Sequence, residues 1–143
     1  MKKYFIISAF LLSLFSPTAF AQGVFGKWKS VDDQTGKTVA IVEIFERNGK
    51  VYGKIIEITN PADKHKKCVN CTGEDKDKPI LGMTVIKGLT KDGDEYNGGH
   101  VLDPKYGKLY KCYITNEGPD RLKVRGYIGF SLLGRTQYWQ RLK

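Results

Sequence analysis

The stretch Arg47-Asn48-Gly49-Lys50 constrains this chain more than any other, because Asn-Gly between two apolar runs favours a two-residue type I′ hairpin and so fixes a strand register. Pairing Arg47 with Lys50 sets Phe45 opposite Tyr52, Glu43 opposite Lys54, Ile41 opposite Ile56 and Val39 opposite Ile58 on one face. The other face collects Ala40, Val42 and Ile44 with Gly53, Ile55 and Glu57. Both faces are largely apolar away from the turn. A partner, a packed loop or a short helix must therefore cover the outer one.

Two further turns repeat the pattern. Lys91-Asp92-Gly93-Asp94 aligns Val85 with His100 and Leu89 with Tyr96, and Gly98-Gly99 interrupts that hairpin as a bulge or tight bend that lets a sheet curl. A turn around Asn116-Glu117-Gly118-Pro119-Asp120 puts Lys111, Tyr113, Lys123 and Arg125 on one face. Tyr110, Cys112, Ile114, Leu122 and Val124 fall on the other, taken as the interior. Residues 128–134 (IGFSLLG) are short, apolar and flanked by glycine, and are expected to plug one end as a turn of α or 3₁₀ helix. Strand character falls near residues 25–31, 38–46, 51–59, 83–90, 95–102, 108–116, 121–128 and 135–142. No long helical period or internal repeat accompanies it. The expected fold is all-β: an eight-stranded antiparallel up-and-down β-barrel with a long loop between strands 3 and 4, since closure removes sheet edges. A two-sheet sandwich is the alternative.

Residues 1–21 read as a cleaved secretory signal: Lys2 and Lys3 precede an apolar run, and Ala19-Phe20-Ala21 is a small-x-small cleavage site. The apolar run is shorter than the ~20 residues of a spanning helix, so no membrane span is expected after cleavage. Residues 22–143 suit one barrel domain, exported to the periplasm or secreted. Loss of Lys2 and Lys3 lowers the formal charge from +9 to +7. Residues 22–103 hold 13 basic and 13 acidic side chains, whereas 105–143 hold 9 basic and 2 acidic, so the last third carries the whole excess. Such a face attracts phospholipid headgroups, anionic glycans or acidic proteins; nucleic acid is not expected of an exported chain without a binding motif.

Residues 60–82 form a connection longer than loops usually are, and it contains His65 and Cys68-Val69-Asn70-Cys71. In an oxidising compartment Cys68 and Cys71 pair as a disulfide. The same CxxC admits a thiol–disulfide active site, or a metal site recruiting His65 and the distant His100. Cys112 is left over and turns inward, where a free thiol is commonplace. Asp103, Pro104 and Gly107 make an ordinary turn, although His100 and Asp103 could serve acid–base chemistry at a barrel mouth. No nucleophile with a matching base can be assembled, so neither a catalytic residue nor a cofactor is assigned. Glu57, if inward, must be paired with an arginine or hold a ligand.

Gly26-Lys27-Trp28, the CVNC loop with Pro79-Ile80-Leu81-Gly82, the GGHVLDP and YGKLY runs, and RGYIG followed by RTQYWQR together resemble an exported bacterial family known as a domain of unknown function, DUF 2147. The likeness spans essentially all of residues 22–143. Tyr96-Asn97 stands where that family often carries tryptophan. More distantly, a Gly-x-Trp on the first strand and an arginine on the last resemble the calycin barrels, lipocalins among them. That likeness implies a stacked pair, Trp28 with Arg141 or Arg135, locking the closed end beside Gly26. It brings no activity.

The leading functional expectation is therefore a non-enzymatic envelope protein holding a small apolar or anionic amphipathic ligand in its barrel. Glu57, His100, Tyr110 and Arg125 are the candidate contacts. One alternative is a module or inhibitor that binds an envelope protein through the outer patch of Val39, Ile41, Ile56 and Ile58. The other is redox or metal chemistry at CVNC.

Overall fold

The computed structural model describes residues 23–143, so the expected export signal lies outside the described residues. Eight antiparallel strands close into a barrel in chain order: β1 Gly26–Val31, β2 Thr38–Arg47, β3 Lys50–Ile58, β4 Thr84–Asp92, β5 Glu95–Asp103, β6 Lys108–Asn116, β7 Arg121–Tyr127 and β8 Gly134–Arg141. Alternation drives this arrangement, most plainly where Cys112, Ile114, Leu122 and Val124 are buried while their chain neighbours are not. Connections β2–β3, β4–β5 and β6–β7 are tight turns at one end, shared with the residues before β1. The β1–β2, β3–β4, β5–β6 and β7–β8 loops gather at the other end.

The Asn-Gly turn forms as expected, with φ of 53° at Asn48 and 77° at Gly49. Its register holds from Arg47↔Lys50 to Val42↔Ile55 and then slips, giving Ile41↔Glu57 and Ala40↔Ile58. This bulge absorbs one residue of β3 and exchanges its faces. Ile58 enters the core, and Glu57 is exposed on the outside instead of facing inward. The outer patch shrinks accordingly: Ile41 and Ile58 are buried, and Val39 and Ile56 remain exposed.

The second hairpin turns one residue later than expected, at Gly93-Asp94, which moves each partner by two and pairs Lys91 with Tyr96 and Lys87 with His100. Gly93, with φ of 62°, supplies the left-handed position of that turn. An even shift preserves the faces, so His100 points outward. The third hairpin pairs as expected, with Tyr113↔Arg125 and Ile114↔Val124. At Gly98-Gly99 the β5–β6 ladder does shift, and a Cβ on Gly99 would sit 2.2 Å from the Lys87 carbonyl oxygen.

Trp28, Ile44, Ile86, Leu89, Ile114 and Leu122 are among the fully buried side chains of one continuous core. Residues 128–134 do not plug it. Residues 128–133 form an irregular loop whose apolar side chains face solvent, and Gly134 opens β8. Barrel closure is short: β1 and β8 pair at Trp28↔Arg141 and Lys29↔Gln140, next to a Leu142 N–H that donates to the Lys27 carbonyl at 2.9 Å.

Candidate functional site

The β3–β4 connection is ordered by its own backbone. Lys67 bridges Pro79, the Cys68 N–H donates to the Lys78 carbonyl at 2.9 Å, and the Ile80 N–H donates to the Lys66 carbonyl at 3.0 Å. Two 3₁₀ turns, Pro61–Asp63 and Gly73–Asp75, shape its limbs; Asn60 caps the first through Oδ1, which accepts from the Ala62 N–H. Cys68 and Cys71 form a disulfide, and both sulfurs are buried. Cys68 Sγ lies 3.3 Å from the Pro104 carbonyl oxygen, a packing contact because a disulfide sulfur has no proton to donate. The loop tip thus rests on the β5–β6 turn. There Gly107 has φ of 67°, and a Cβ would come 1.9 Å from the Asn70 carbonyl oxygen, so only glycine allows the approach.

From this anchor the loop runs along the outside of the barrel. Ile86 points inward against Gly53, so Lys87 points out, and its ammonium pairs with the Asp75 carboxylate. Leu102 also has outward register, yet it is buried and belongs to the core cluster together with Cys68 and Cys71. The packed loop is what covers it. Between this flap and the outer wall of β3 and β4 lies a groove of about 560 Å³. Tyr52, Pro79, Leu81 and Met83 give it apolar surface, while Arg47 and Lys78 are cations and Glu74 an anion beside the Lys87–Asp75 pair. The Arg47 guanidinium sits over the Tyr52 ring at 4.8 Å, and Phe45 stacks on the same ring at 6.0 Å, which fixes the tyrosine wall. A second concavity is lined by Asp33, Gln34, Arg135 and Thr136, where Arg135 meets Asp33 at 3.3 Å. Both concavities lie outside the packed lumen.

The four residues expected to touch a ligand are not brought together. Glu57 and His100 are exposed on the outer surface. Tyr110 is half-buried, paired with Val101 near the loop end. Arg125 is on the outer face, where Nε and Nη2 donate to the Ser131 carbonyl at 2.9 and 2.6 Å and Nη1 donates to Thr136 Oγ1 at 2.8 Å. It holds the β7–β8 loop. Asp103 caps its own turn, with Oδ1 accepting from the Lys105 N–H. No group of three or more metal-ligating side chains converges among the described residues. Nothing local in the sequence marks the groove beyond the length of residues 60–82, since which wall a loop packs on is a non-local property.

The closed end carries the expected stack, and Arg141 rather than Arg135 makes it. Its guanidinium lies 4.2 Å from the centroid of the fully buried Trp28 ring. It also donates to the carbonyls of Gly23, Phe25 and Pro119 at 2.7 Å each. Trp28 Nε1–H donates to the Val24 carbonyl at 2.9 Å.

A closed eight-stranded meander with an aromatic–arginine lock at its tight-turn end defines a lipocalin-like barrel. Among solved structures the chain is similar to protein HP1028 of Helicobacter pylori, described as belonging to the lipocalin family, with TM-score 0.72, 24% identity and 82% of each chain covered. No curated protein matches it. The model of the family described as an uncharacterized protein conserved in bacteria, DUF2147, matches residues 26–141, and the chain belongs to that family.

Proposed function

We propose that this is a non-enzymatic, exported binding protein whose small amphipathic ligand sits in the groove between the disulfide-braced loop and the outer wall of β3–β4. The groove carries the reading: its volume of about 560 Å³ falls in the range of small-molecule sites, and its lining combines apolar Tyr52, Leu81 and Met83 with the cations Arg47 and Lys78, which outnumber Glu74 outside the Lys87–Asp75 pair. An apolar chain along the first three with an anionic head at the cations matches that lining. The lipocalin-like architecture supports binding in general, and the filled lumen favours an external site. Export is supported by the signal-like residues 1–21 and by the Cys68–Cys71 disulfide. Redox exchange at that disulfide is disfavoured because both sulfurs are buried and paired, out of reach of an attacking thiolate.

Native mass spectrometry of the protein gently extracted from envelope fractions, followed by titration with a fatty-acid probe, tests the proposal. A bound mass that is lost in Leu81→Asp and in Arg47→Ala, but kept in Arg125→Ala, is expected. Binding unaffected by either groove variant overturns it, as does an absence of any ligand.

A further inference from the structure

Four large apolar side chains stand together in the β7–β8 loop with nothing packed on them: Ile128, Phe130, Leu132 and Leu133 are 64%, 60%, 83% and 61% exposed. The backbone beneath them is held firmly. The Ile128 N–H donates to the Leu133 carbonyl and the Leu133 N–H to the Phe130 carbonyl, each at 3.1 Å. Arg125 grips the Ser131 carbonyl, and Lys111 Nζ donates to the Gly129 carbonyl at 3.2 Å. A Cβ at Gly134 would approach the Gly126 carbonyl oxygen to 2.3 Å, so the loop base admits no side chain. Outward presentation is thus built in, and it is not a consequence of slack.

The surroundings are cationic. Lys105, Lys108, Lys111, Arg125 and Arg135 all lie at or near the loop end of β6, β7 and β8. The two acids of the last third, Glu117 and Asp120, sit at the opposite end, engaged with Arg121 and Lys143. Of the acids at this end, Asp33 is engaged by Arg135 and Gln137, Asp32 by the Gln34 and Thr35 N–H groups, and Asp103 by the Lys105 N–H, while exposed Glu57 lies on β3, four strands away from β7.

We infer that the β7–β8 loop inserts into the interface of an anionic phospholipid bilayer, with Phe130, Leu132 and Leu133 entering the acyl boundary and the basic collar meeting the headgroups. An apolar tip ringed by lysine and arginine satisfies both forces that hold proteins at such surfaces. Among the described residues no helix is long and apolar enough to cross a membrane, and the proposed contact needs only the side chains of one loop. The inference is independent of the groove, because it needs no bound ligand.

Co-sedimentation of residues 22–143 with vesicles of phosphatidylglycerol and phosphatidylethanolamine, against phosphatidylcholine vesicles, tests it. Binding is expected to the anionic vesicles, to fall at least tenfold in the Phe130→Asp/Leu132→Asp double variant, and to weaken with added salt. An unchanged thermal midpoint shows that this variant folds. A Lys108→Glu variant, which leaves the tip intact, is expected to lose part of the binding. Equal binding to neutral vesicles, or full binding by the double variant, overturns the proposal. So does a self-associated protein that the same variant makes monomeric, since a second copy would then be the occupant.

Discussion

Trp28 shows how one side chain can be held from both sides. Its ring is capped by Arg141, and the guanidinium that caps it is itself fixed by three backbone carbonyls. Lysine could keep the charge but neither the planar stack nor the three-way donation. Arg141→Lys is expected to cost about 2–4 kcal/mol in urea denaturation, from lost charge-assisted hydrogen bonds and stacking. Gly26, at φ of 113° and 2.9 Å from Arg141 Nη1 by its absent Cβ, is part of the same device. Gly26→Ala should destabilise by about 1–3 kcal/mol through strain and displacement of the arginine. Gly36→Ala, at φ of 68° with open space around it, provides the comparison for strain alone. Equal losses at the two glycines would remove the arginine from the account. Tryptophan and arginine were legible in the sequence, whereas the accepting carbonyls were not, because a backbone oxygen leaves no mark on residue identity. Cys112 is a different case, a thiol pushed up to about 12 by burial. Iodoacetamide at pH 8 should modify no cysteine in the folded protein and one after unfolding without reductant. Its linkage follows the sign of the shift: unfolded thiol ionises from about 9.0 upward while the folded one stays neutral, so stability declines between there and about 12.

Among the elements, hairpins were readable to the extent that their turns were. Asn48-Gly49 fixed the six pairs from Arg47↔Lys50 to Val42↔Ile55, after which one bulged residue of β3 reversed Glu57 and Ile58; nothing in Lys54-Ile55-Ile56-Glu57 announces it, since either face offers an isoleucine. Residues 128–134 misled for the opposite reason. Their composition is that of a core, and the grip of Arg125 and Lys111 on the loop backbone, with the loop's own hydrogen bonds, holds them outward. The long loop makes a cleaner prediction. Replacing Cys68 and Cys71 by alanine should cost about 2 kcal/mol, at the low end because the closed ring is short. Hydrogen exchange should accelerate in residues 64–80 and leave β6 and β7 unchanged. Acceleration spread evenly over the barrel would show that the loop is not a separate unit. In the β1–β2 loop the Thr35 and Gln34 N–H groups, together with lesser contributions, hold the Asp32 carboxyl below its usual value of 3.8. A depressed carboxylate stabilises above its unfolded pKa and loses that contribution as pH falls through the folded one. Amide chemical shifts of Gln34 and Thr35 should therefore titrate together below 3.8, and Asp32→Asn should abolish the step.

At the scale of the whole molecule, strand order and the antiparallel pairing of successive strands follow from alternation and turns, both local in sequence. The flap on the outer wall, its groove and the short β1–β8 seam follow from contacts between distant segments, which alternation does not encode. The charge asymmetry was visible at once, but its meaning came from topology, which carries Glu117 and Asp120 away from the apolar loop and leaves the cations beside it. The seam has a temporal consequence. Each of the other ladders joins strands adjacent in sequence, so seven hairpin-like steps can proceed as the chain becomes available; joining Trp28 to Arg141 must wait for residue 141. Closure is therefore a late folding event, and contacts made late leave their mark on the unfolding rate. Arg141→Lys should speed unfolding while hardly slowing refolding in stopped-flow measurements, and a slowed refolding limb would place closure early. During synthesis, an unfinished chain of this design remains an open sheet with two free edges, exposed to pairing with its neighbours until its own first strand is met by its last.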